Sequence, residues 1–179
     1  KLLNQLRKAQ KELKNEIVEV EDVSLVNKCY IEGYGLFDAT ATLAYISVDA
    51  NGAVTPSGAT FDRANLYFPS YVKVGEEIVK VTTIGGFNGK SIRAIYIPDT
   101  VTRIIGGSNI GCFGNNPNLL VVVVGKGVTK VEREVFSNGT SPVLKEFIWK
   151  GTITEIHTYA FNHVSAESNT IPYEFNTRL

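Results

Sequence analysis

The chain has 179 residues, 44% hydrophobic and 20% charged, which fits one folded domain with a substantial core and argues against disorder. Lys plus Arg and Asp plus Glu number 18 each, so no global field steers nucleic acid or an anionic membrane towards it. No apolar run reaches membrane-spanning length, and no signal-peptide pattern is present.

The chain starts at Lys1 and contains no methionine, so a processed or trimmed product is the expectation, and a missing signal peptide then says nothing about export. From Lys1 to about Val20, Leu2, Leu6, Ala9, Leu13, Ile17 and Val20 recur at three-and-four spacing, which predicts an amphipathic helix. Leu2, Leu6, Ala9 and Leu13 also fit alternating heptad positions, so the helix reads either as an oligomerising seam or as a cap over one end of the fold. Two to three heptads are short for a coiled coil, which favours the cap. The signal from Val23 to Ile31 is mixed, and Gly33-Tyr34-Gly35 breaks the chain. Leu36 to Val48 is rich in β-branched and aromatic residues and predicts one strand, followed by a turn at Asn51-Gly52 and a loop at Pro56-Ser57-Gly58.

From about Ala64 a repeat takes over. Its signature is a tetrad of β-branched residue, Thr, any residue, then Ile or Val. It occurs as Val81-Thr82-Thr83-Ile84, Val101-Thr102-Arg103-Ile104, Val128-Thr129-Lys130-Val131 and Ile153-Thr154-Glu155-Ile156, with starts 20, 27 and 25 residues apart. Periods of this size predict a solenoid, because one such unit buries its apolar face only against a neighbour. Each unit carries an earlier strand as well: Leu66-Tyr67-Phe68-Pro69, Ile95-Tyr96-Ile97-Pro98, Val122-Val123-Val124-Gly125 and Phe147-Ile148-Trp149-Lys150. Ile92, Leu119 and Leu144 precede the last three of these at the same offset, and Pro or Gly ends the first three. Val101, Ile104, Val128, Val131, Ile153 and Ile156 are predicted to face the core from one side. Ile95, Ile97, Val122, Val124, Phe147 and Trp149 close it from the other, and Phe113, Phe136 and Phe161 fill the wide end of each coil. Thr82, Thr102, Thr129 and Thr154 form an outward ladder. Gly106-Gly107-Ser108-Asn109 reads as an insertion into the second unit.

The phrase IPDTVTRI, then an Ala-Phe pair, an Asn-rich turn and Leu-x-x-apolar-x-apolar, resembles the BspA-like bacterial leucine-rich repeats over about residues 60 to 162. The third unit has Val-Gly and the fourth Trp-Lys where the family has Ile-Pro, and only the last has a literal Ala-Phe. The resemblance implies a curved, β-rich solenoid, commonly secreted or on bacterial cell surfaces, that binds proteins or host matrix and is not an enzyme.

Candidate chemistry is thin. Gly85-Gly86-Phe87-Asn88-Gly89-Lys90-Ser91 looks like a phosphate-binding loop, but Ile84 stands where that motif needs its first Gly, and a strand is predicted to follow. His157 and His163, the two histidines, lack Cys or acidic companions at metal-ligand spacing. Cys29 and Cys112 read as buried packing thiols, and Asn138-Gly139-Thr140 reads as a turn that also matches a glycosylation acceptor. No catalytic residue, metal site or cofactor is expected.

The sharper expectation is a row of Tyr67, Tyr96, Val123 and Ile148, between the inward positions of the first strands, on the exposed face of the sheet, with Asn65, Ala94, Val121 and Glu146 beside it. Such a row reads as a protein or glycan contact surface, or as a face covered by the cap helix or another chain. The expected architecture is therefore a repeat solenoid, mainly β: a short leucine-rich-repeat right-handed superhelix with an N-terminal amphipathic helix and strand cap. Its parts are the helix (1–22), a β-rich cap region (23–63), about four irregular repeats (64–162) and a C-terminal cap or tail (163–179). The expected function is a non-catalytic module binding a protein or glycoprotein partner, adhesin-like, without nucleic acid or a membrane span. The alternative is an assembly subunit that forms a homo-oligomer through its N-terminal helix.

Overall fold

A unit of two short strands with a turn after each can close into a coil, and coils stacked in register pair equivalent strands in parallel. The computed structural model, which describes residues 2–6, 9, 23–137, 145–157 and 159–161, is built this way. Its elements are β1 (Lys28–Ile31), β2 (Gly35–Asp38), a 3-10 helix (Thr40–Tyr45), β3 (Ile46–Val48), β4 (Ala53–Pro56), β5 (Ala64–Tyr67), β6 (Tyr71–Val74), β7 (Glu77–Lys80), β8 (Thr83–Ile84), β9 (Ile92–Ile97), β10 (Arg103–Ile104), β11 (Val121–Val124), β12 (Lys130–Val131), β13 (Glu146–Trp149) and β14 (Glu155–Ile156). The protein is a mainly β solenoid of about four coils.

The first strands form one parallel sheet in the order β13-β11-β9-β5. The register sets Leu66, Ile95, Val122 and Phe147 in line, with Ile97, Val124 and Trp149 in line two residues on, and all of these are buried in the main core. Opposite them, each tetrad contributes just two strand residues. β8 pairs in parallel with β10 and, on its other side, with β4, while β12 pairs with β14. Val101, Ile104, Val128 and Val131 are buried as the repeat predicts, and Ile153 is half-buried. Ile156 departs from that expectation, being 48% exposed, because no further coil stacks on the fourth among the described residues. The threonine ladder forms in two halves, with the Thr102 amide donating to the Thr82 carbonyl at 2.9 Å and the Thr154 amide to the Thr129 carbonyl at 2.8 Å. Between the second and third coils the insertion takes over: the Gly107 amide donates to the Arg133 carbonyl, and Glu132 holds Arg103 and the Gly106 amide.

Ring stacking runs the length of the core. Phe87, Phe113, Phe136 and Phe161 follow one another at centroid distances of 6.0, 5.9 and 5.6 Å, with Phe68 edge-on to Phe87 at 5.3 Å. Burying each such ring is worth roughly 1.5–3 kcal/mol, and the stacked geometry adds about 0.5–1.5 kcal/mol per pair.

Leu36 to Val48 is not one strand. The Thr40 amide and hydroxyl both donate to Asp38 Oδ1, at 2.9 and 2.6 Å, and this side-chain capture bends the chain out of β2 into the 3-10 helix. Strand geometry resumes at β3, which forms a hairpin with β4 around Asn51-Gly52. Gly52 has φ +78°, and a Cβ there would lie 1.9 Å from the Lys80 carbonyl oxygen, so the turn fits against the first coil only as glycine. A second hairpin, β6–β7, grows from the first coil between its two strands.

The β1–β2 hairpin runs lengthwise across the stack. The Ser70 amide donates to the Lys28 carbonyl and the Asp99 amide to the Tyr30 carbonyl, at 2.7 and 3.0 Å. Asp99 then bridges hairpin and third coil, accepting from the Glu32 and Lys126 amides at 2.9 Å each, and Lys126 pairs with Glu32. Ser70, Asp99 and Lys126 occupy the same position after β5, β9 and β11, so the hairpin straps three successive coils. Residues 2–6 and 9 are helical, with Leu2 and Leu6 71% and 54% exposed and Ala9 exposed too; Leu13 and the rest of the expected helix lie outside the described residues.

Asp99→Ala removes both acceptors of the bridge, and an unfolding free energy lower by about 1–2 kcal/mol is expected. Hydrogen exchange should quicken at the Glu32 and Lys126 amides and stay slow at Val124; unchanged exchange at Glu32 would show that Asp99 does not hold the strap.

Candidate functional site

Parallel strands in register bring equivalent side chains of adjacent coils within about 5 Å of one another. Tyr67, Tyr96, Val123 and Ile148 are register partners on β5, β9, β11 and β13, and the rings of Tyr67 and Tyr96 stack at 4.4 Å with an interplanar angle of 11°. The alignment is the expected one, but the row is not an open surface. Val123 is 0% exposed, and the other three are half-buried against Cys29, Ile31, Ala39, Tyr34 and Phe37. Phe37 meets Tyr67 and Tyr96 at 5.2 and 5.3 Å. Among the described residues the cover is the β1–β2 strap. With both faces of the sheet buried, an unbroken Val121-Val122-Val123-Val124 run is what β11 requires.

Towards the strand N-termini the cover ends, and a cleft of about 150 Å³ opens, lined by Asn65, Tyr67, Arg93, Ala94, Tyr96, Leu120 and Val121. Asn65, Ala94 and Val121 are mutual register partners with Glu146, two residues before the tyrosine row and so on the same face of the pleat. Arg93 enters through a bulge. The pairing passes from Ala64↔Ile92 to Asn65↔Ala94, leaving Arg93 without a residue opposite, and bulges of this kind re-aim a side chain. The Leu120 amide donates to the Arg93 carbonyl and the Lys145 amide to the Leu120 carbonyl, both at 2.8 Å, which sets Arg93, Leu120 and Lys145 in one line across three coils. Beside the cleft, the Tyr67 amide on outer strand β5 donates to Thr42 Oγ1 at 2.8 Å, and the Tyr34 hydroxyl donates to Glu146 Oε1 at 3.3 Å.

Burial, with neighbouring Tyr67, Tyr34 and Glu146 adding to it, pushes the Tyr96 phenol from 10.0 up to about 12. Burial and then Glu146 push Tyr34 upward as well. The cleft is smaller than the roughly 300–1,000 Å³ of small-molecule pockets, so its capacity is about one side chain or one sugar ring.

The other candidates among the described residues are two thiols, the loop from Gly85 to Ser91 and His157. Cys29 and Cys112 are both free and buried. Burial, helped by Asp99, raises the Cys29 thiol, and burial raises Cys112 to about 12 against opposing backbone hydrogen bonds, so neither is a ready thiolate. Between Gly85 and Ser91 the loop leads into strand β9 and turns Phe87 into the core. His157 sits in a turn, its Nδ1 accepting from the Tyr159 amide at 3.4 Å, while His163, Leu144 and Asn138-Gly139-Thr140 lie outside the described residues. Among the described residues no group of three His, Cys, Asp or Glu is placed to hold a metal ion, and no helix is long and apolar enough to cross a membrane.

Sequence reasoning missed Arg93, Leu120 and the strap aromatics Tyr34 and Phe37. A bulge shows only when the partner strand is known, although the spacing, two residues from Ala64 to Leu66 against three from Ile92 to Ile95, is its trace.

Tyr96 yields a pH test. Its folded value lies above its ordinary value, so the unfolded chain gives up this proton first, and the stabilisation held below pH 10 is lost as pH rises towards about 12. Absorbance titration at alkaline pH should show a late-ionising phenol that is missing in Tyr96→Phe; a titration with no such difference would refute the assignment.

A repeat built from a Pro- or Gly-ended strand, a Val-Thr tetrad and a buried Phe, stacked coil on coil, is characteristic enough to compare with known families. Residues 82–178, more than half of the chain, match the BspA type leucine-rich repeat region in 6 copies. No curated protein and no solved structure matches the chain. The repeat match and the stacked coils agree, and the chain belongs to the BspA type leucine-rich repeat family.

Proposed function

We propose that this chain is a non-catalytic binding module for a protein or glycoprotein partner, secreted or displayed on the surface of a bacterial cell, and that the partner docks at the cleft beside the strap. The supporting observation is that the sheet's outer face is closed by the strap at Val123 yet opens, two residues earlier, into a cleft with an apolar floor and a mixed polar rim of Asn65, Arg93 and the two tyrosines. Apolar floors with aromatic and arginine rims are what protein interfaces favour. The family's repeats are binding scaffolds, and its members' usual surface location supports the compartment.

The test is a screen of the intact chain against extracellular-matrix proteins and glycans, run beside Asn65→Trp, which fills the cleft from an exposed position. Binding by the intact chain, weakened about tenfold or more in a variant with unchanged circular dichroism and melting temperature, is the expected result. Equal binding by both would move the partner off the cleft.

The exposed Leu2 and Leu6 favour a second reading, assembly through the N-terminal helix. It predicts a multimer by analytical ultracentrifugation that becomes a folded monomer in Leu6→Glu, Leu13→Glu; a monomeric intact chain would end it.

A further inference from the structure

We infer that the cleft receives an acidic segment of a partner protein, with one short aliphatic side chain on the floor and carboxylates on Arg93 and Lys145; this rests on the binding reading above. Charge complementarity is the first ground. Along the coils, Arg103 faces Glu132 and Lys130 faces Glu155, while Lys126 pairs with Glu32 of the strap and Arg133 with its neighbour Glu134. Arg93 and Lys145, one coil to either side of Leu120, have no ion-pair partner among the described residues. Glu146, the acid nearest them in the row, accepts from the Tyr34 hydroxyl on the strap side, a neutral donor, so the ligand's carboxylates belong on the Arg93–Leu120–Lys145 line and not along the Glu146 row. Arg93 lines the apolar spot and Lys145 lies next in line beyond Leu120, and a ligand that brings carboxylates and one aliphatic group satisfies both.

The backbone supports the same reading. Arg93 reaches the cleft because β9 carries a bulge there, and a regular strand would have given its place to a ladder residue. The floor of Ala94, Leu120 and Val121 has room for one side chain, whereas a bare inorganic anion would leave that apolar surface unused.

A peptide fits better than a sugar. Carbohydrate stacking needs an open ring face, and Tyr67 has Tyr96 at 4.4 Å and Phe37 at 5.2 Å, while Tyr96 has Tyr67, Phe37 and Tyr34 around it. Neither ring therefore offers a free face to a sugar, and the Tyr96 hydroxyl is engaged by Tyr67.

The experiment is a positional-scanning library of acetylated, amidated hexapeptides, panned on the intact chain and on Arg93→Glu at low and physiological salt, with a glycan array in parallel. The intact chain should select Asp or Glu next to Val, Ile or Leu. The best peptide should bind Arg93→Glu at least about tenfold more weakly, and that variant should select Lys or Arg instead. Arg93 is exposed, so the reversal leaves the core alone, and Lys145→Glu gives an independent second reversal. An unchanged acidic preference in both variants, a selection without acidic residues, or cleft-dependent binding of glycans alone would overturn the inference while leaving the binding reading standing. If neither peptides nor glycans bind and Asn65→Trp behaves as the intact chain does, both fall.

Discussion

Equivalent residues of adjacent coils must meet their own kind, and this rule governs the rest of the molecule. Phe87 rests on Phe113, Phe113 on Phe136 and Phe136 on Phe161, and the in-register sheet lines Ile95 up with Val122 and Phe147. A coil is too thin to own a core, so its apolar residues are stabilised only by what lies above and below. The same rule leaves Ile156 exposed where the described stack ends. It also explains the β3–β4 hairpin: β4 gives β8 a parallel partner at the other end of the second ladder, so the first coil is not left with an open edge.

The strap adds a second layer that repetition alone does not demand. By burying Val123 and half-burying Tyr67, Tyr96 and Ile148, it turns a solvent face into a small second core. A cleft remains just where that cover stops. Position and chemistry of the cleft thus follow from two departures from regularity: the end of the strap, and the bulge that carries Arg93. Regular coils supply the platform, and the irregular residues give it a distinct surface.

Much of this was legible in the sequence. The tetrads fixed the inward valines and isoleucines, and the offset of the first strands gave the Tyr67, Tyr96, Val123, Ile148 row its true register, because a repeat reports which residues are equivalent without reference to distant contacts. The exposure of that row was not legible. Its cover comes from Cys29, Ile31 and Phe37, whose local pattern is mixed and whose partners lie tens of residues away. The break at Ala39 was hidden for another reason: Leu36 to Val48 has strand composition, and one side-chain acceptor, Asp38, overrides it. Arg93 escaped because a bulge belongs to a pair of strands and not to either sequence alone.

The lengthwise course of the strap also sets an order of events during synthesis. Tyr34 finds its acceptor on Glu146, 112 residues later in the chain, and Glu32 finds Asp99 after 67. At translation rates of about 5–20 residues per second, the N-terminal hairpin waits on the order of ten seconds for its last partner. Phe37 meets Tyr67 and then Tyr96 as the first two coils form, so the cover is laid down coil by coil and closes only when Glu146 arrives. The strap is thus made before every coil it ties and is complete only after the last of them, so its cover over the sheet is the final long-range contact of this region to close.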